Sequence, residues 1–222
     1  GAPLNLAVLY TNLGQAEKAI EEYRTALRLD PEFVEGHINL GMLLAERSER
    51  AEAMAHYQRA LEIRRETIEA NREALKRYRR HGDEVRAEQQ RRAVEMITNE
   101  LGEIHYSLGL LHAEDPDDLE EAARHLAEAA RLAPDNPRIH YNLGLALQRL
   151  GRIEEAEASL KEAYRRAPRV PDFLHALAVL YVQQERWQAA AACTKELVRR
   201  WPGVREFRRL DYLATQRSRA RP

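Results

Sequence analysis

Residues 140–168, HYNLGLALQRLGRIEEAEASLKEAYRRAP, contain two runs of helical periodicity separated at Gly151 and ended by Pro168. The same arrangement begins at His37-Ile38-Asn39-Leu40-Gly41. Steps of 34 residues align the two copies when one extra residue is placed in the acidic turn 114–118. A single helix pair cannot bury its own apolar face, so repeated pairs must stack on one another. The sequence therefore predicts an all-helical repeat array.

Small residues mark the points where paired helices would cross. In the first helix of each unit one position holds glycine or alanine, except in the third unit. A second position, twelve residues later (thirteen in the fourth unit, which contains the extra residue), holds alanine in all six units. These columns are Ala7, Gly41, Leu75, Gly109, Gly144 and Ala178, and then Ala19, Ala53, Ala87, Ala122, Ala156 and Ala190. Antiparallel helices approach closely only where side chains are small. The two columns therefore predict the contacts within each helix pair.

The pattern resembles the tetratricopeptide repeat (TPR) family over nearly the whole chain. The match is fullest from Tyr141 to Pro168, whereas His37, His105 and His140 stand where the family usually has an aromatic residue. The resemblance implies an all-α fold, a right-handed α-α superhelix of about six helix pairs with a C-terminal capping helix. We divide the chain into repeats 1–2 (1–67), a divergent segment (68–101), repeats 4–6 (102–204), and a capping helix and tail (205–222).

The divergent segment leaves two arrangements open. Its boundaries carry Arg65 and Asn99 where proline is expected, so it is either a TPR unit of ordinary length or an extended helical hairpin. In the second arrangement one helix runs from Ala51 to Arg80. The next helix, with Asp83 as its N-cap, runs from residue 84 towards residue 112.

Composition and motifs argue against an enzyme. Hydrophobic residues make up 44% and charged residues 32% of the chain, with a formal net charge of -1, and no run of about 18 apolar residues is present. Phosphate-binding glycine loops, GxSxG and HExxH are absent, and no two histidines are three or four residues apart. Cys193 is the only cysteine. We predict no catalytic residues, metal or cofactor, and no membrane insertion.

A basic run from Lys76 to Arg92 is interpreted as a solvated helix face. Glu73 precedes Arg77, and Glu88 precedes Arg92, by four residues, a spacing that favours local ion pairs. Stacking aromatic residues are not interleaved with these cations. We therefore do not expect nucleic acid as a partner.

In the TPR family the first helices of successive repeats line a concave groove that binds an extended or helical peptide. Carried over by position, the resemblance implies ligand-binding roles for Ile38, Asn39, Met42, Tyr106, Leu110, Tyr141, Asn142, Leu145, Gln148, Arg149 and His175. Asparagine offers both a donor and an acceptor to a peptide backbone. Leu4 and Val8 occupy positions where some family members hold a C-terminal carboxylate, which disfavours that mode.

The expected function is a non-enzymatic scaffold that binds a peptide or protein partner. The alternative is a structural or self-assembling appendage of a larger protein. Residues 103–111 and 132–134 also resemble TPR regions attached to bacterial multihaem c-type cytochromes, although the chain has no CxxCH motif. The sequence leaves open the partner, the oligomeric state and the compartment, cytoplasmic or periplasmic.

Overall fold

The structure, a computed structural model, describes residues 2–220, with side chains described for residues 3–219. Within them the chain is helical and has no strand, which confirms the predicted all-α fold of helix pairs followed by a C-terminal helix. The helices are α1 (Ala2–Asn12), α2 (Ala16–Leu29), α3 (Val34–Glu46), α4 (Arg50–Arg80), α5 (Glu84–Ala113), α6 (Leu119–Leu132), α7 (Pro137–Arg149), α8 (Ile153–Arg166), α9 (Pro171–Gln183), α10 (Trp187–Arg200) and α11 (Arg205–Ala220), with a 3-10 turn at Pro116–Asp118.

The chain forms two compact units. The first contains the chain up to Asp115 together with residues 131–133, and the second contains residues 116–130 and the chain from Pro134 onward. The core of the first unit is built around Leu40, Leu44 and Leu108, which are fully buried. In the second unit Leu197 of α10 is buried with Phe207 of α11. The last helix therefore covers the apolar face of the pair before it.

The helices of a pair cross at the predicted small residues. The alanine column is almost inaccessible to solvent in all six repeats: Ala19, Ala53, Ala87, Ala122, Ala156 and Ala190. A Cβ atom added at Gly144 would lie 2.6 Å from Leu160 Cγ and 3.2 Å from the carbonyl oxygen of Ala156. A Cβ atom added at Gly41 would lie 3.3 Å from the carbonyl oxygen of Ala53. Larger side chains at these points would force the helices apart.

Within a helix pair, the turn between the two helices contains a residue with left-handed backbone conformation. Gly14, Gly82 and Gly151 have φ of 68°, 69° and 75°. Ser48 and Glu185 occupy the corresponding turns with φ of 62° and 52°. A side chain in this conformation costs roughly 1–2 kcal/mol. The turn geometry at these two residues is therefore imposed by the flanking helices and not by local preference.

Helices α4 and α5 form a hairpin longer than the other helix pairs. They contain 31 and 30 residues, whereas α3 and α7 contain 13 each. The Asp83 side chain accepts a hydrogen bond from the backbone N–H of Arg86, as an N-cap does. Both helices are continuous through residues 68–101. The division of the chain into residues 1–67, 68–101, 102–204 and 205–222 stays a prediction.

Two of the histidines at the family's aromatic position hold the turn that precedes their helix. His37 Nε2 lies 3.1 Å from the carbonyl oxygen of Pro31, and His140 Nε2 lies 2.7 Å from that of Pro134. A carbonyl oxygen only accepts, so His37 Nε2 carries a proton. His37 Nδ1 lies 2.9 Å from Nδ1 of His56 on α4, so the two rings share a hydrogen bond. The contact between His37 and His56 links α3 to α4.

Acidification is expected to destabilise the chain through His56. Burial lowers the pKa of His56 below its ordinary value of 6.5; the charges of His37 on α3 and Arg24 on α2 act in the same direction, and Glu52 on α4 opposes them. The folded chain thus binds this proton less readily than the unfolded chain. The free energy of unfolding is therefore full above the ordinary pKa and falls as the pH drops from there through the folded pKa.

Urea denaturation at about pH 7.5 and about pH 5.5 measures this effect, with His56→Gln as the comparison because glutamine does not titrate. The variant should lose less stability between the two pH values than the parent chain. An equal loss in both would assign the pH dependence to other groups.

Candidate functional site

In the first unit, five of the predicted ligand-binding residues lie on α3 and α5. Ile38, Asn39 and Tyr106 are half-buried, whereas Met42 and Leu110 are 39% and 38% exposed. The Asn39 amide makes no hydrogen bond to any residue of the part of the chain that the structure describes. Large apolar side chains and an unpartnered amide therefore share this surface.

A cavity of about 300 Å³ adjoins the same surface between α3 and α5. The surface that lines it is mainly apolar, although several of the residues that contribute to it are polar. These residues are Ile38, Met96, Asn99, Glu100, Glu103, Ile104 and Ser107. The predicted site did not include Met96 and Asn99. They precede Glu103 by seven and four residues and lie on the same face of α5. Helical spacing would have identified them, had the sequence shown that α5 continues without a break towards its N-terminus.

One arginine from α4 neutralises part of the charge beside this cavity. Arg64 is largely buried, with its Nη2 2.8 Å from a carboxylate oxygen of Glu35 and its Nε 2.6 Å from one of Glu100. One cation thus faces two carboxylates, from α3 and α5. The arrangement holds the two helices together and leaves an excess of negative charge.

In the second unit, several predicted ligand-binding residues also connect neighbouring first helices. The rings of Tyr141 and Phe173 lie 5.1 Å apart, and burial, followed by the charge of Asp172, raises the pKa of Tyr141. Gln148 of α7 donates a hydrogen bond from its amide to Gln183 of α9. These side chains thus make contacts between α7 and α9 and contribute to the packing of the two helices.

His175 has a similar position between α9 and α11. Its Nε2 lies 3.5 Å from a carboxylate oxygen of Glu206, and its ring centroid lies 5.4 Å from that of Phe207. On α7, Asn142 and Leu145 are half-buried and Arg149 is exposed. Five of the eleven predicted residues therefore lie on the first-unit surface, and six lie on α7 and α9, the second-unit surface. Of those six, Tyr141, Gln148 and His175 contact a neighbouring helix.

The groups singled out for other chemistry have ordinary structural surroundings. Burial raises the pKa of the Cys193 thiol to about 11, so the side chain is an unreactive thiol near neutral pH. In the basic run, hydrogen bonds from Arg91 and Arg92 lower the pKa of Glu88 to about 2, which places both arginines in local ion pairs. Lys76 pairs with Glu73 at 2.6 Å.

Within the described residues, no helix combines the length and the apolar character that crossing a bilayer requires.

Stacked helix pairs with exposed side chains on successive first helices define a helical-repeat protein. Sequence models of the family agree: one described as TPR repeat matches residues 8–48 and 117–151, and two described as tetratricopeptide repeat match residues 38–71 and 137–170. Together these matches span more than half of the 222 residues. The chain belongs to the tetratricopeptide repeat family. A search of curated protein sequences found no match.

Solved structures of TPR proteins share the fold. YrrB, described as a TPR protein with an unusual peptide-binding site, is 17% identical with a TM-score of 0.69, covering 96% of this chain and 90% of that chain. MamA from Desulfovibrio magneticus RS-1 is 16% identical with a TM-score of 0.65, covering 90% and 93%. Acl4, an assembly chaperone of RpL4, is 17% identical with a TM-score of 0.65, covering 97% and 82%. At these identities the similarity establishes the fold.

Proposed function

We propose that this chain is a non-enzymatic scaffold that binds a peptide segment of a partner protein along the first helices of its repeats. The observation that carries the proposal is the first-unit surface, on which Asn39 of α3 makes no hydrogen bond within the described residues and the side chains of Met42 of α3 and Leu110 of α5 are exposed. The peptide-binding site attributed to YrrB supports the same use of the fold.

The surface suits a peptide for chemical reasons. The Asn39 side chain can donate to a backbone carbonyl and accept from a backbone N–H of any sequence. Covering an exposed Met or Leu side chain contributes roughly 25 cal/mol for each Å² of apolar surface removed from water. Backbone pairing would thus position the peptide, and apolar contacts would supply most of the affinity.

Substitution of the first-unit surface tests this proposal. Peptides selected from a displayed random library on the parent chain should bind Asn39→Ala and Met42→Ala about tenfold more weakly, because each change removes a contact worth roughly 1–2 kcal/mol. Fluorescence anisotropy with the selected peptides measures the affinities, and circular dichroism checks that helicity is unchanged.

Two matched variants serve as controls. Gln89→Ala removes an exposed amide from the hairpin, and Leu29→Ala removes an exposed apolar side chain at the end of α2. Both should retain the parent affinity. Selected peptides whose binding is weakened by the controls but not by Asn39→Ala and Met42→Ala would contradict the proposed surface. If no peptides are selected and the chain assembles with itself, the alternative of a self-assembling appendage is favoured.

The second-unit surface is tested separately with Asn142→Ala. Tyr141→Ala is less informative there, because it also removes the contact with Phe173.

A further inference from the structure

The helices that line the first-unit cavity contain carboxylates but no lysine or arginine near it. Residues 34–46 of α3 and 93–113 of α5 include no lysine or arginine. The same two stretches contain five carboxylates: Glu35, Glu46, Glu95, Glu100 and Glu103. Such a composition favours a cationic partner at this surface.

Cations from the neighbouring helix α4 cancel only part of this charge. Arg64 is held between Glu35 and Glu100, and Arg65 has its Nη2 3.5 Å from Nε2 of His105. Within residues 2–220, Glu103 forms no ion pair with any cationic side chain. The exposed carboxylate of Glu103 at the edge of the cavity is therefore available to a partner.

The cavity itself suits an apolar side chain. Met96 is 58% exposed although the next residue, Ile97, is buried, so the hairpin presents a large apolar group to solvent on the side of the cavity. Ile38 of α3 and the buried Ile104 of α5 also line the cavity. A methionine side chain is flexible and polarisable, and adapts to side chains of different shapes.

The same face of α5 extends beyond the cavity. Met96, Asn99, Glu103, Tyr106 and Leu110 are spaced by three or four residues, so they form one stripe with roughly 21 Å of helical rise. Helices α1, α3, α7 and α9 contain 11 or 13 residues, and α5 contains 30. The N-terminal part of the stripe therefore exists only because α5 continues into the hairpin.

We infer that this cavity binds a bulky apolar side chain of a partner peptide, and that a lysine or arginine next to it in the peptide pairs with Glu103. The inference rests on the proposed function and specifies the class of peptide. The cavity volume matches one large side chain, and the Glu103 carboxylate, which has no ion pair within the described residues, selects a cationic neighbour.

Three synthetic peptides of one design test the inference. Each is fluorescein-labelled and carries a central Leu-Phe pair, flanked by lysines in the first, by glutamines in the second and by glutamates in the third. Binding is measured by fluorescence anisotropy at low and high salt. The lysine peptide should bind the parent chain about tenfold more tightly than the glutamine peptide, with the difference reduced by salt, and the glutamate peptide should bind most weakly.

Substitutions then assign these preferences to residues. Glu103→Lys should weaken the lysine peptide about tenfold and strengthen the glutamate peptide, because it turns an attraction into a repulsion. Met96→Ala should weaken all three peptides alike. Glu95→Lys is the matched control: it reverses an exposed carboxylate on the same helix that does not line the cavity, and it should leave the order of affinities unchanged.

The outcomes separate the inference from the proposed function. Equal binding of the three peptides, still weakened by Asn39→Ala and Met42→Ala, would overturn the charge preference and retain the scaffold. An effect of Glu95→Lys as large as that of Glu103→Lys would also overturn the inference, since it would show a diffuse field and not a site. If none of the peptides binds, the inference fails, and the displayed library alone decides on the scaffold.

Discussion

Replacing Ala156 by leucine is expected to lower the free energy of unfolding by about 1–3 kcal/mol, because the larger side chain overpacks a helix crossing. Ala156 is fully buried, and its carbonyl oxygen would lie only 3.2 Å from a Cβ atom on Gly144 of the facing helix. The added carbons would lie at this close contact, so α7 and α8 must separate or neighbouring side chains must adopt strained rotamers. Thermal and urea denaturation followed by circular dichroism measure the loss.

Ala158→Leu provides the control for this substitution. Residue 158 lies on the same helix α8, and it is exposed. Leucine there should change stability by less than about 0.5 kcal/mol. A parent-like melting temperature for Ala156→Leu would contradict the assignment of the alanine column to helix crossings. Gly144→Ala gives a second reading of the same contact, since its Cβ would meet Leu160 at 2.6 Å.

The backbone amides of the hairpin are expected to exchange with solvent at least about tenfold faster than those of α7 and α8, after correction for intrinsic rates. From Ile68 to Ile97 the buried residues are Ile68, Ala87 and Ile97 alone, so few apolar contacts oppose local opening. The shorter stretch from Tyr141 to Ala163 has seven: Leu143, Gly144, Ala146, Leu147, Ala156, Leu160 and Ala163. Repeat units are held mainly by their neighbours, so a unit with fewer buried contacts opens at lower cost.

Hydrogen exchange followed by mass spectrometry compares the two segments in one sample. The α7–α8 pair serves as the internal standard, so differences in pH or temperature do not affect the comparison. Equal protection in the two segments would show that the hairpin is packed as firmly as an ordinary repeat. The result also matters for the cavity, because Met96 and Asn99 belong to the hairpin part of α5.

The repeat and its helix crossings were predictable because they depend on local spacing and residue size. Alanine twelve residues after a small residue, with glycine at the end of the first helix, recurs often enough to fix the register. The hairpin was less predictable. Absent prolines permit a continuous helix but do not require one, and only the packing of Ile68 and Ile97 in the first-unit core favours it.

The candidate site was predictable by position but not by contact. The family resemblance places Ile38, Asn39 and Met42 on a first helix, and the structure leaves their surface accessible. The resemblance could not indicate that Tyr141 packs on Phe173 or that His175 lies against Glu206, since both contacts join separate repeats. Met96 was missed because its position counts as a groove residue only when α5 is continuous.

The left-handed turns at Ser48 and Glu185 have a practical consequence for spectroscopy. Both residues are exposed and already carry a side chain in the left-handed conformation, so cysteine there adds no new backbone strain. The native thiol of Cys193 is half-buried, with a pKa raised to about 11 by burial, and reacts slowly with maleimide or methanethiosulfonate reagents near neutral pH. Ser48→Cys and Glu185→Cys therefore offer one selective attachment point in each unit. A pair of fluorophores or spin labels at these turns would report the distance between the units directly, with and without a bound peptide.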